Sequence, residues 1–264
     1  MQTNLHETQN LNQDQWDYSI QAPFYQYRPN YTPIAIDQLL EVVGEKKPIQ
    51  VLDVGAGTGN LTLLLRRDGV AIVAIEPNEP MRTIGKIRVH GPQVRWKAAS
   101  AEKTMEPDES ADLWIMGSSF NTTDRVATIR EALRVLRPGG WFSCLWNHRE
   151  LQADPIQATI EKIIRRFYPN YSHGTRREDQ TPFLKKIDSF QNHQYFECPQ
   201  RVFQSRENYL LAWRSVRNSY WDLRDPDQKN TFEAMLSEME VVLPETLELT
   251  YVTRVWLCQK ALVQ

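Results

Sequence analysis

Asp53 stands two residues ahead of the first of three glycines at alternate positions, Gly55, Gly57 and Gly59, in the stretch VLDVGAGTGN. Glycine there lets the backbone turn through positive φ and come close to a ligand; a tight turn alone would need one glycine rather than three. A carboxylate at the end of the preceding strand suits a cationic ligand and sits poorly beside the doubly anionic pyrophosphate of a dinucleotide. The dinucleotide fingerprint G-x-G-x-x-G also needs a glycine where Asn60 stands. Glu76 closes the next apolar run, VAIVAIE, where a carboxylate can accept both hydroxyls of a ribose. The residues therefore ask for a nucleoside, and Asp53 favours one that carries positive charge.

Such residues need a rigid sheet to hold them. The runs IQVLDV, VAIVAIE, VRWKAA, ADLWIMG and GWFSCLW have the lengths of strands buried on both faces. Between them NLTLLLRRDG, NEPMRTIGKIRV and DRVATIREALRVLRPGG show helical spacing, the last closed by Pro138 and Gly139. This alternation predicts an α/β fold with a doubly wound sheet and right-handed crossovers, its ligand lying beyond the carboxyl ends of the strands. Ahead of the sheet comes WDYSIQAPFYQYRPNY, aromatic and broken by Pro23 and Pro29. A helix then has Pro33 in its first turn and Ile34, Leu39, Leu40 and Val43 on one face. After Gln152 the alternation stops: helices are expected at 155–168, 206–223 and 227–242 around a strand at 194–203. The stretch LELTYVTRVWLCQKAL reads as a long last strand. The chain is thus divided into a mobile tail at 1–15 and one domain over 16–264. Within that domain lie a lid and helix at 16–45, a cofactor-binding core at 48–150, a helical cover with one inserted strand at 151–242, and a final strand at 243–264.

The formal net charge is −2 and charges of both signs are interspersed, so no basic stripe offers itself to nucleic acid. The opening residues MQTNLHETQNLNQDQWDY carry neither a basic n-region nor an apolar core. No later run approaches the roughly twenty apolar residues of a membrane span. A cytoplasmic protein without a membrane partner is expected. Cys144, Cys198 and Cys258 lie far apart, and the 5 histidines form no H-x-x-H pattern, so no metal is expected.

The combination of Asp53, the D-x-G-x-G-x-G turn, Glu76 and the later LRVLRPGGWF resembles the class I S-adenosylmethionine-dependent methyltransferases of type 11. FYQYRPNY ahead of a helix, LWNHRE and the closing YVTRVW are similar to the small-molecule branch that includes the trans-aconitate methyltransferase type. The resemblance implies a Rossmann-like seven-stranded sheet with its last strand antiparallel. It also implies S-adenosylmethionine as cofactor and S-adenosylhomocysteine as product. It makes Gly55, Ala56, Gly57 and Gly59 neighbours of the methionine part and Asp53 the partner of its ammonium group. Glu76 takes the ribose, Pro77, Asn78 and Met81 flank the adenine, and Ala101 and Glu102 close its edge. Arg28 suits the cofactor carboxylate, and Ser118 borders the site. One departure stands out: that branch has an aromatic-rich A-F-H-W-F-D after strand four, where this chain reads SSFNTTD, residues 118–124.

Substrate contacts are sought over the carboxyl ends of the strands: Tyr18, Tyr25, Ser119, Asn121, Trp146, Asn147, Trp213, Arg214, Tyr220 and Trp221. His148, Asn121 and Tyr25 are the candidate catalytic residues, His148 as a base. Aromatic faces and carboxamides outnumber obvious bases, which slightly favours a nitrogen acceptor on a small metabolite. The alternatives are O-methylation of a small carboxylate or hydroxyl, an NAD-dependent dehydrogenase, and a non-catalytic nucleoside-binding protein. The enzyme is expected to be a monomer or homodimer.

Overall fold

β-Branched and aromatic residues run together at seven places among residues 17–44 and 48–262, the part described by this computed structural model, and each run is a strand of one sheet. The strands are β1 (Ile49–Val54), β2 (Val70–Ile75), β3 (Val94–Lys97), β4 (Ala111–Gly117), β5 (Leu136–Arg149), β6 (Phe190–Ser205) and β7 (Thr246–Lys260). Their order across the sheet is β3-β2-β1-β4-β5-β7-β6. β7 runs antiparallel to both β5 and β6, and the first five strands pair in parallel, as the fold class requires. The tail expected at 1–15, together with Trp16, lies outside the described residues.

Alternation along the buried strands sorts side chains to two faces. Val51, Leu113, Ile115 and Leu145 pack with Ile36 and Leu39 of α1 (Pro33–Val43) and with Leu61 and Leu65 of α2 (Asn60–Leu65). Leu52, Val54, Trp114 and Met116 pack with Ile129 and Ala132 on the other face, where α3 (Glu79–Arg88) precedes α4 (Arg125–Val135) along the chain. The buried side of α1 is Ala35, Ile36, Leu39 and Leu40; Ile34, expected on that face, points outward.

The cover consists of α5 (Pro155–Phe167), the short α6 (Thr181–Leu184), α7 (Arg206–Arg214) and α8 (Pro226–Val242). Ile160, Ile164, Trp213, Phe232 and Met235 form its core over Leu247, Leu249 and Tyr251 of β7. Asp154 fastens it to the sheet: one carboxylate oxygen caps α5 by accepting from Gln157 N, and the other accepts from Thr250 N at 2.7 Å. The helix expected at 206–223 ends at Arg214. Beyond it Asn218 Oδ1 accepts from the amides of Tyr220 and Trp221, a local turn that competes with helix. Among the described residues no helix is long and apolar enough to cross a membrane.

Candidate active site

The sheet order changes direction between β1 and β4, so the loops that follow these two strands diverge and leave a cleft. The glycine turn after β1 fills one side. Gly55, Gly57 and Gly59 have φ of 73°, 59° and 85°, values that L side chains rarely adopt. The other side is the loop after β4, where Ser118 also has a positive φ, 55°. Its hydroxyl shares a 2.9 Å hydrogen bond with Tyr31. Gly117 makes room for that ring, since a Cβ there would lie 2.7 Å from the Tyr31 hydroxyl.

A cavity opens between these loops, walled by Asp53, Gly55, Ala56, Gly57, Glu76, Pro77, Met81, Ser118 and Ser119 and reached by Arg28, Tyr18 and Tyr25. Asp53 is fully buried: Oδ2 accepts from Thr62 Oγ1 at 2.6 Å, while Oδ1 has no hydrogen-bond partner. An unsatisfied buried carboxylate oxygen is costly, which makes Oδ1 the natural partner for a ligand donor. Glu76 accepts from Gly57 N and Asn78 N, both at 2.8 Å, and ties the glycine turn to the cap of α3; each oxygen keeps a free lone pair. Burial raises both acids to about 7, and for Asp53 the nearby Glu76 adds to the rise. A ligand cation would relieve the strain on Asp53, while the free lone pairs of Glu76 can accept from hydroxyls. The two acids fit the ammonium and ribose of the expected cofactor.

A second cavity adjoins the first and shares Tyr18, Tyr25, Arg28, Pro29, Ser118, Thr122 and Asn147 with it. Trp146, His148, Tyr171, His173, Tyr209, Trp213 and Tyr251 line it together with Arg149, Arg176 and Arg177. Arg28 stacks 4.2 Å above the Tyr25 ring and donates to the Ser215 hydroxyl and carbonyl at 2.6 and 2.7 Å, joining the aromatic N-terminal segment to the end of α7. Asn147 does the same for the sheet: its Nδ2 donates to the carbonyls of Pro29 and Asn30.

Several sequence expectations are corrected here. Asn121 lines neither cavity; its carboxamide oxygen accepts from the Trp146 indole at 3.0 Å, a structural tie. His148 is on the wall, but burial, followed by Arg177 and Arg254, lowers its pKa to about 3, which makes it a poor base near neutral pH. Ala101 packs in the core and Glu102 accepts from the amide of Asp124; neither is among the residues that wall the first cavity. Trp221 is buried under α8, and the Tyr220 hydroxyl bonds to Ser172. Arg214 pairs with Glu233 away from both cavities. Sequence reading missed Tyr31, Thr122, Arg149, Tyr171, Arg176 and Arg177. The dense charged and aromatic run YSHGTRR, 171–177, was the signal available for three of them.

Residues 52–144 match a family model described as a methyltransferase domain. The uncharacterised methyltransferase Rv3342 of Mycobacterium tuberculosis is 37% identical over 167 residues, 63% of either chain. The ubiquinone/menaquinone biosynthesis C-methyltransferase UbiE of a Caulobacter species is 33% identical over 198 residues, 70% of this chain and 65% of that one. The chain thus matches less than two thirds of either relative's length. A solved phosphoethanolamine N-methyltransferase of Haemonchus contortus, in complex with phosphomonomethylethanolamine and S-adenosylhomocysteine, aligns with a TM-score of 0.54 at 15% identity. The alignment takes in 95% of this chain and 59% of that one, a likeness of fold.

Proposed function

From a chain whose residues 52–144 carry a methyltransferase domain, we propose an enzyme that moves a methyl group from S-adenosylmethionine to a small molecule seated in the second cavity. The observation that carries this reading is Asp53 Oδ1, an orphaned, fully buried carboxylate oxygen beside the glycine turn. The cofactor would supply an activated methyl on a sulfonium. Asp53 would hold its ammonium group, Glu76 its ribose, Arg28 its carboxylate, and Pro77 and Met81 its adenine. Tyr18 and Tyr25, on the walls of both cavities, would keep water from the seam where the acceptor meets the methyl. Positioning of this kind supplies roughly 7–11 kcal/mol of barrier reduction.

With His148 so weak a base, the reading favours a nucleophile that arrives without a proton to lose. The aromatic faces that suggested an amine are present, but the guanidinium groups of Arg149, Arg176 and Arg177 beside them repel a protonated amine. We therefore put an oxygen acceptor first and nitrogen second.

Calorimetry should give a binding isotherm with S-adenosylhomocysteine and none with NAD; the reverse would make the protein a dehydrogenase. Glu76→Gln should weaken the former by about 1–3 kcal/mol through lost charge-assisted hydrogen bonds. That loss should vanish with an analogue lacking ribose hydroxyls, whereas equal losses would mark a folding defect.

Acidity offers a separate check. Asp53, raised to about 7 when free, must be charged to hold an ammonium group, so binding lowers its pKa and releases a proton below that value. Affinity for S-adenosylhomocysteine should be full above about pH 8 and fall roughly ten-fold by about pH 6. A flat profile would separate Asp53 from the ligand's charge.

A further inference from the structure

Apart from Arg28, which reaches both, the two cavities are lined by opposite charge. The first holds Asp53 and Glu76; the second, among its lining residues, has Arg28, Arg149, Arg176 and Arg177 and no carboxylate. Glu161, behind the wall, accounts for one of these cations: it accepts from Arg149 Nη2 at 2.9 Å and lies 3.0 Å from Arg165. Burial opposes its charge, yet His173 and Arg149 hold it down to about 2. That leaves Arg149 half used, because its Nη1 is buried without a hydrogen-bond partner. His148 Nε2, in a residue 7% exposed, is likewise without one. Arg177 donates to the Arg149 carbonyl at 2.6 Å, which holds its guanidinium against the end of β5, and both arginines line the same cavity. Guanidinium groups gathered on a wall without a carboxylate, one of them with a buried idle donor, are stabilised by an anion that completes them.

We propose that the second cavity binds its acceptor by an oxyanionic head, a carboxylate or phosphate, clamped by Arg149 and Arg177 with Arg176 at the rim. The flat, unsaturated body of that molecule lies between Trp213 and Tyr171. Arg149 already stacks 4.8 Å over the Trp213 ring, so the charged and aromatic surfaces are continuous. The head occupies the end bounded by β5 and the turn Gly174–Arg177, and the far end of the molecule reaches the seam at Ser118 and Thr122. This deepens the methyltransferase reading by giving the chemical class of its acceptor.

The test is calorimetry on the whole chain with four probes built on one phenyl ring: benzoate, phenyl phosphate, benzamide and benzylamine. Benzoate or phenyl phosphate should bind at least ten-fold tighter than the neutral and cationic probes, and the tighter of the two identifies the head. Arg149→Met alone would take from the part-buried Glu161 one of its cationic partners, leaving Arg165 and His173, so it is paired with Glu161→Gln to keep the fold, and Arg176→Met serves as a second, more exposed variant. Each should lose about ten-fold in affinity for the oxyanion and keep the wild-type affinity for S-adenosylhomocysteine. Benzylamine binding as well as benzoate, or oxyanion affinity unmoved in both variants, overturns the inference. S-adenosylhomocysteine is titrated into every sample: its binding without oxyanion binding sinks this inference alone, and the converse sinks the methyltransferase reading alone.

Discussion

Asp53→Ala is expected to remove measurable binding of S-adenosylhomocysteine while the protein stays folded. Breaking a buried charge pair by deleting one partner costs about 3–5 kcal/mol, or roughly two to four orders of magnitude in affinity, because the other charge is left without compensation. The fold should not suffer in proportion. In the free protein Asp53 is a fully buried carboxylate with one oxygen unsatisfied, so it is a burden on the native state. Asp53→Asn makes the contrast sharper: the amide keeps the shape and an acceptor for Thr62 Oγ1, removes the buried charge, and should leave the thermal midpoint unchanged or higher. The affinity loss should persist. A variant that loses stability and keeps affinity would show instead that Asp53 braces the turn for structural reasons.

That prediction could be framed from sequence because the requirements at Asp53 are local. A strand end, a turn with positive φ at three glycines and a carboxylate at the next strand end are all written within 26 residues of chain, 51–76. The sheet was legible for the same reason, since each strand and helix declares its own period. Its antiparallel part was underestimated at the ends: β5 runs through Arg149 and β6 through Ser205 because β7 offers 15 residues of ladder, and pairing extends a strand past its apolar run. The second cavity was much less legible. Arg28, Arg149 and Arg177 come from a loop before α1, the end of β5 and a turn after α5, and no periodicity relates positions so far apart. His148 shows the same limit: a lone histidine invites the role of a base, and only its burial, with the arginines around it, reveals that its proton affinity is suppressed.

Removing residues 1–27 should cost far more activity than stability, whereas removing residues 1–12 should be nearly silent. Pro23 and Pro29 keep the stretch from joining a long helix or a sheet. Its described part, from Asp17 onward, winds through a 3-10 turn, Ala22–Tyr27, and places Tyr18 and Tyr25 on the walls of both cavities. Its anchors are largely polar. They include the cation–π contact of Arg28 on Tyr25 and that of Arg217 with Tyr18, 5.3 Å from the ring, and the bond from Gln204 Nε2 to the Tyr27 carbonyl. Only Gln21 and Ala22 within 17–27 are buried, so the hydrophobic core loses little when the stretch is deleted. The seam between the cavities loses two of its aromatic walls, and with them the exclusion of water on which methyl transfer depends. We expect the segment to act as a lid, with amide exchange that slows when S-adenosylhomocysteine and acceptor are both bound. Exchange equally slow in the free protein would make it a fixed wall. A thermal midpoint that falls in step with activity after truncation to residue 28 would make it part of the core.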